Sequence, residues 1–210
     1  MLSGGNLATL GRLEVLGGLV LSQGAELVLT GPGAELRTPG GFSNVNSNLR
    51  ATEGAVVALT LPAEFNAPGD FTSLFPLGAG FVASNARLKL DGMTTATGPI
   101  EWNFRGAPSL LLLAEGGGRL QMPTLGSLSG RTELRVDGFC SVIEAPLLQT
   151  VTGPDADFVS VVDVRNGGEL QAAAFREIQY GRIVLLDGGV LRTASLVLSS
   201  NATLQGKTAP

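Results

Sequence analysis

A chain of 210 residues is long enough to bury one sizeable core and short for two, so a single domain spanning 1–210 is expected. Charged residues at 15% against 44% hydrophobic exclude intrinsic disorder, while 30 glycines and only 5% aromatics speak against a helical bundle. The net charge of −4 offers no positive excess for a phosphate backbone, and the absence of histidine removes the commonest general base and the commonest metal ligand.

Taken from the N-terminus, the chain repeats one theme of uneven length. Looser copies come first: Leu13 to Leu21, Leu27 to Leu36 and Ala51 to Leu59. From Leu88 onward the theme sharpens. A short alternating run meets an acidic or amide residue and glycine, as in Leu88-Lys89-Leu90-Asp91-Gly92, Leu134-Arg135-Val136-Asp137-Gly138, Val162-Asp163-Val164-Arg165-Asn166-Gly167 and Val184-Leu185-Leu186-Asp187-Gly188. A second apolar run follows and stops near proline or alanine, as in Leu120-Gln121-Met122-Pro123, Val142-Ile143-Glu144-Ala145-Pro146, Leu170-Gln171-Ala172-Ala173 and Leu191-Arg192-Thr193-Ala194. Apolar residues at every second position are the mark of short strands with one buried face, and Asp-Gly or Asn-Gly junctions supply the positive φ that tight corners need. A period of about 20 to 30 residues, fitted about eight or nine times, belongs to a solenoid. The expected fold is all-β: a single-stranded right-handed parallel β-helix (β-solenoid), its handedness taken from the general preference of parallel crossovers.

Two stretches break the rhythm. An irregular insertion at about 62–85 holds Phe65, Phe71, Phe75 and Phe81, which would form an aromatic patch for a glycan or partner chain, or else pack a long loop back onto the solenoid flank. A loop at about 150–158 carries Asp155 and Asp157, two carboxylates that would suit calcium if carbonyl oxygens joined them, although a solvated turn explains them as well. No other metal and no cofactor is expected. The single cysteine, Cys140, is expected to be a small buried apolar residue, since a nucleophile would lack a histidine partner. The longest apolar run, Leu110 to Ala114, is far short of a membrane span, and the first residues have no signal-peptide pattern.

The stretch from Leu110 to Gly206, with its Gly-x-Leu-x-x-Pro/Ala-x-Leu recurrences, resembles the right-handed β-helix of bacterial surface proteins, including autotransporter passengers and haemagglutinin-like adhesins. The coils from Leu134 to Ile178 also look like those of receptor L domains. The resemblance implies a β-helix in an extracellular or cell-surface setting; it carries no functional residue across.

Function is expected to be that of a non-catalytic structural, adhesion or assembly module of a larger bacterial surface or secreted protein. Its partners would be other protein chains or extracellular glycans, with neither nucleic acid nor a membrane span. The alternative is a carbohydrate-binding or polysaccharide-cleaving β-helix with its site near 62–85. Cleavage needs paired or clustered carboxylates, and the one arrangement in view would bring Arg37, Arg119, Arg135 and Arg165 to one groove with Asp137 and Asp163. A further alternative is a self-assembling scaffold, a homo-oligomer stacked through uncapped coil ends, where open sheet edges invite pairing.

Overall fold

A computed structural model describes residues 2–3, 5–22, 24–44, 47–67, 80–100 and 109–206. Every pairing between strands is parallel, and no α-helix occurs among the described residues. The longest sheet has nine rungs: Asn6–Thr9, Glu26–Thr30, Asn48–Thr52, Gly80–Ser84, Leu110–Glu115, Thr132–Asp137, Ser160–Arg165, Gly181–Leu185 and Thr203–Gly206. This is the first face of a parallel β-helix. The second face runs through six rungs from Val56–Thr60 to Val190–Arg192, after an isolated pair, Arg12–Glu14 with Glu35–Arg37. The third runs through six rungs from Glu64–Asn66 to Val197–Ser199, after a separate group of Leu2–Ser3, Leu19–Ser22 and Phe42–Asn44.

Alternation decides what lies inside. On the first face the columns Leu27, Leu49, Phe81, Leu112, Leu134, Val162, Ile183 and Leu29, Ala51, Ala83, Ala114, Val136, Val164 stack rung on rung into the lumen. The third face answers with Phe65, Ala96, Leu128, Val151 and Ile178 in register. A large ring beside a small alanine keeps the lumen filled without strain. Burying an aliphatic side chain in such a ladder stabilises by about 1.5–3 kcal/mol, so the columns supply the main driving force for the fold.

The corners explain the repeat. Between the first and second faces, Glu53 and Gly54, Gly116 and Gly117, Asn166 and Gly167, and Asp187 and Gly188 all have positive φ in consecutive pairs. Each pair is closed by a backbone hydrogen bond across the turn, for example Gly168 N–H to Arg165 O at 3.0 Å and Gly189 N–H to Leu186 O at 2.9 Å. Two consecutive positive φ values define a type I′ turn, which is why Asn-Gly and Asp-Gly recur there. At the second corner the Pro/Ala motif makes another turn, Leu148 N–H donating to Ala145 O at 3.1 Å and Phe175 N–H to Ala172 O at 2.9 Å. Leu125, Leu148 and Phe175 thereby fold into the core.

Three differences from the sequence reading stand out. The run Leu88 to Gly92 lies on the second face, where the other three alternating runs quoted with it occupy the first, so its Asp-Gly closes a different corner. Cys140 is exposed rather than buried, because its left-handed backbone (φ 66°) sits at the outside of a corner turn. The stretch 62–85 is not wholly a departure from the coil. It contains the ladder strands Glu64–Asn66 and Gly80–Ser84.

Coil length separates plain coils from interrupted ones. Register repeats after 20 residues from Asn6 to Glu26, 22 from Leu110 to Thr132 and 21 from Ser160 to Gly181. It lengthens to 32 from Asn48 to Gly80, 31 from Gly80 to Leu111 and 28 from Glu133 to Val161. In all three long coils the extra length falls at one corner, between the third face and the next rung of the first: after Asn66, after Thr97 and after Thr152. Where no insertion occurs, that corner takes one to three residues, such as Tyr180 alone, Gly130-Arg131 or Ser200 to Ala202.

Candidate binding cleft

Beside this corner, on the outside of the first face, an open cleft of about 350 Å³ spans the rungs Thr132–Asp137, Ser160–Arg165 and Gly181–Leu185. The short loop after Thr152 overhangs it through Asp157, Phe158 and Val159. Strand alternation dictates the lining. Leu134, Val136, Val162, Val164 and Ile183 point into the lumen, so Glu133, Arg135, Asp163, Arg165 and Arg182 point out into the cleft.

Parallel register then sets the charges against one another. Arg135 stands opposite Asp163 in the next rung, and Asp137 opposite Arg165. Asp163 is the fulcrum, with its side chain only 4% exposed. Arg165 grips it as a fork, Nε donating to Oδ1 at 3.0 Å and the terminal nitrogen to Oδ2, while Arg135 Nε stands 3.7 Å from Oδ2. That hydrogen bond to Asp163 raises the Arg165 pKa above its usual range. Arg135 also donates to Glu133, and its own Nε is buried without a hydrogen-bond partner. Arg131 and Arg182 complete the rim and carry no carboxylate partner among the described residues. Four guanidinium groups therefore face three carboxylates, Glu133, Asp157 and Asp163, a positive excess on a chain whose net charge is −4.

Just inside the rim, a polar junction braces the rungs. Thr132 Oγ1 donates to Ser160 Oγ at 3.0 Å, and Ser160 Oγ donates to Gly130 O at 2.7 Å, all of it buried. Buried hydroxyls satisfied in this way hold the corner, and with it the mouth of the cleft, in one geometry.

The sequence-predicted residues divide. Arg135, Arg165 and Asp163 do meet in one groove; Asp137 does not line it, standing opposite Arg165 in the preceding rung and accepting a hydrogen bond from Asn166 Nδ2 at 2.7 Å. Arg37 and Arg119 do not, for they belong to second-face strands and pair with Glu35 and Glu144 there. An aromatic surface patch cannot include Phe65 or Phe81: both are buried in the lumen, 5.5 Å apart in an edge-on arrangement, with Phe42 6.2 Å from Phe81. They occupy inward columns, so ring burial outweighs any surface role. Phe71 and Phe75 lie outside the described residues. Asp155 accepts the backbone N–H groups of Asp157 and Phe158, both at 2.9 Å, which is the solvated-turn arrangement. Among the described residues no three acidic or sulfur side chains gather as a metal site.

Sequence reasoning missed Arg131 and Arg182. The signal was present in the 21-residue register, which sets Arg182 against Val161 and so on the same outward column as Glu133. Compared with known proteins, the chain matches no family model, no curated protein and no solved structure.

Proposed function

We propose that the chain is a non-catalytic module of a larger bacterial surface or secreted protein, a stiff β-helical stem that holds a binding face outward. One observation supports this most. The coil is lengthened at a single corner three times, and that corner borders the arginine-lined cleft, so extra sequence and polar recognition are gathered at one side of the strand ladders. Two of the three cleft carboxylates serve ion pairs, Glu133 with Arg135 and Asp163 with Arg165, each within its own strand, and Asp163 also faces Arg135 across the rungs. Asp163 has both oxygens engaged by guanidinium groups, an arrangement that positions charge for recognition and ties up the one buried carboxylate of the cleft. The test is incubation of the immobilised protein with a panel of bacterial and host polysaccharides, assaying retention and released sugar ends together. Retention without release is expected; time-dependent release of reducing or unsaturated ends would overturn the reading.

A second reading, end-to-end assembly, rests on the terminal rungs. Leu198 and Leu204 continue the inward columns of Ile178 and Ile183 yet are 40% and 54% exposed, and Leu7, on the column of Leu27, is 41% exposed. Apolar lumen residues beside unpaired strand edges favour stacking of one coil end on another. Light scattering across a concentration series tests it: growth along one axis, abolished by Leu204→Glu, supports stacking, and a constant monomer mass discards it.

A further inference from the structure

We infer that the cleft over the rungs Thr132–Asp137, Ser160–Arg165 and Gly181–Leu185 binds an acidic polysaccharide, gripping its carboxylate or sulfate groups with Arg131 and Arg182. The inference rests on the binding-module reading and adds the ligand class to it.

The chemistry follows from how the guanidinium groups are used. Arg165 and Arg135 are committed to Asp163 and Glu133, and they form the floor. Arg131 and Arg182 have no such commitment among the described residues and stand at the rim, Arg182 exposed to solvent. A planar guanidinium offers paired donors that match the two oxygens of a carboxylate or sulfate, so an unpaired arginine over a polar floor selects oxyanions over neutral groups.

Geometry favours a sugar chain. Arg131 precedes the rung of Glu133, and Arg182 lies two rungs further along the axis, a rise of roughly 10 Å at the usual strand spacing. That is the length of a disaccharide in an extended glycan, so a chain laid along the axis would bring anionic groups on alternate sugars to the two rim arginines in turn. The lining is mainly charged and polar, which suits hydroxyl-rich sugars; its apolar residues, Phe158, Val159, Val161 and Val184, are the minority.

The test is calorimetric titration of the intact protein with hexagalacturonate, with a heparin-type sulfated hexasaccharide and with neutral maltohexaose, at low and raised salt. Saturable binding of an anionic hexasaccharide that weakens with salt, with none for maltohexaose, is expected. Arg182→Gln and Arg131→Gln should each weaken it about tenfold, the loss of one charge-assisted contact, without moving the melting temperature. Preference between the uronate and the sulfated probe identifies which oxyanion is taken. Equal binding of maltohexaose, a poly-aspartate peptide bound as tightly as the best saccharide, or no effect of either arginine change would overturn the assignment. No binding of either anionic probe at millimolar concentration would also overturn it while leaving the stem reading in place. Sugar-end release during titration would overturn the non-catalytic reading and leave the anion site standing.

Discussion

Two adjacent glycines at one corner offer the sharpest test of how the rungs are held. At Gly118 an added Cβ would lie 1.9 Å from the carbonyl oxygen of Ala83 and 2.6 Å from its carbon, both backbone atoms of the preceding rung. At Gly117 the same atom would meet nothing within 4 Å, although φ is +86°. Gly117→Ala therefore pays only left-handed backbone strain, about 1–2 kcal/mol. Gly118→Ala must move a neighbouring rung to reach an ordinary carbon–oxygen separation of about 3.3 Å, a displacement of more than 1 Å. Such a shift disturbs the turn bond from Gly118 N–H to Glu115 O at 2.9 Å and the rung bond from Val142 N–H to Gly118 O at 2.9 Å. Two weakened backbone bonds at about 1 kcal/mol each, added to overpacking of about 1–3 kcal/mol, give roughly 3–5 kcal/mol. Thermal melts followed by far-ultraviolet circular dichroism would show this as a loss of roughly 6–20 °C for Gly118→Ala against roughly 2–8 °C for Gly117→Ala. A Gly118→Ala protein as stable as the parent, or more stable than Gly117→Ala, would refute the idea that close contact between rungs governs this corner.

Other perturbations probe different terms. Glu53 holds φ 52° at a corner where the equivalent residue of a later coil is Asn166 at φ 54°, so Glu53→Asn should gain about 0.5–1 kcal/mol in urea unfolding. Leu134→Ala, in the middle of a fully buried column, should cost about 2–5 kcal/mol, while Leu147→Ala at a half-exposed corner should cost little, compared by the same denaturation. Glu169 titrates below the ordinary glutamate range through hydrogen bonds from Arg192 and then Gln171, and Glu177 does so through those from Gln179 and then Ser199. A depressed folded pKa gives stability that is present above the unfolded value and lost as pH falls through the folded one. Melting temperature should therefore decline below about pH 4.5, and Glu169→Gln should make that decline shallower; an unchanged slope counts against the hydrogen-bond cause.

The alternation Leu134/Val136 and Val162/Val164 made the inward columns legible, and Asn166-Gly167 and Asp187-Gly188 marked true corners, because each signal is local. What escaped depends on contacts between coils. Asp91-Gly92 has the same local chemistry as Asp187-Gly188, yet only the stacking of Lys89 on Gln121 and Ala58 shows that it ends the second face. Phe65 and Phe81 looked like rim residues because they flank an irregular stretch. Their fate was decided by the small residues stacked near them, Ala96 beside Phe65 and Ala83 in the same strand as Phe81. The cleft was half legible: Arg135, Asp163 and Arg165 could be grouped by eye, whereas Arg131 and Arg182 required the register that unequal coil lengths obscure.

Because every rung of the first face is bonded to the next along the axis, a pull applied between the two ends loads the backbone hydrogen bonds in series. Such a load is not shared as it is in a sheet sheared lengthwise, so rupture proceeds coil by coil from whichever end yields first. Each plain coil of about 21 residues releases roughly 70 Å of slack chain, and the longer coils release more, dissipating work at every step while the remaining rungs keep their shape. A rod of this kind behaves under tension as a graded extensible tether whose step sizes are written in its coil lengths.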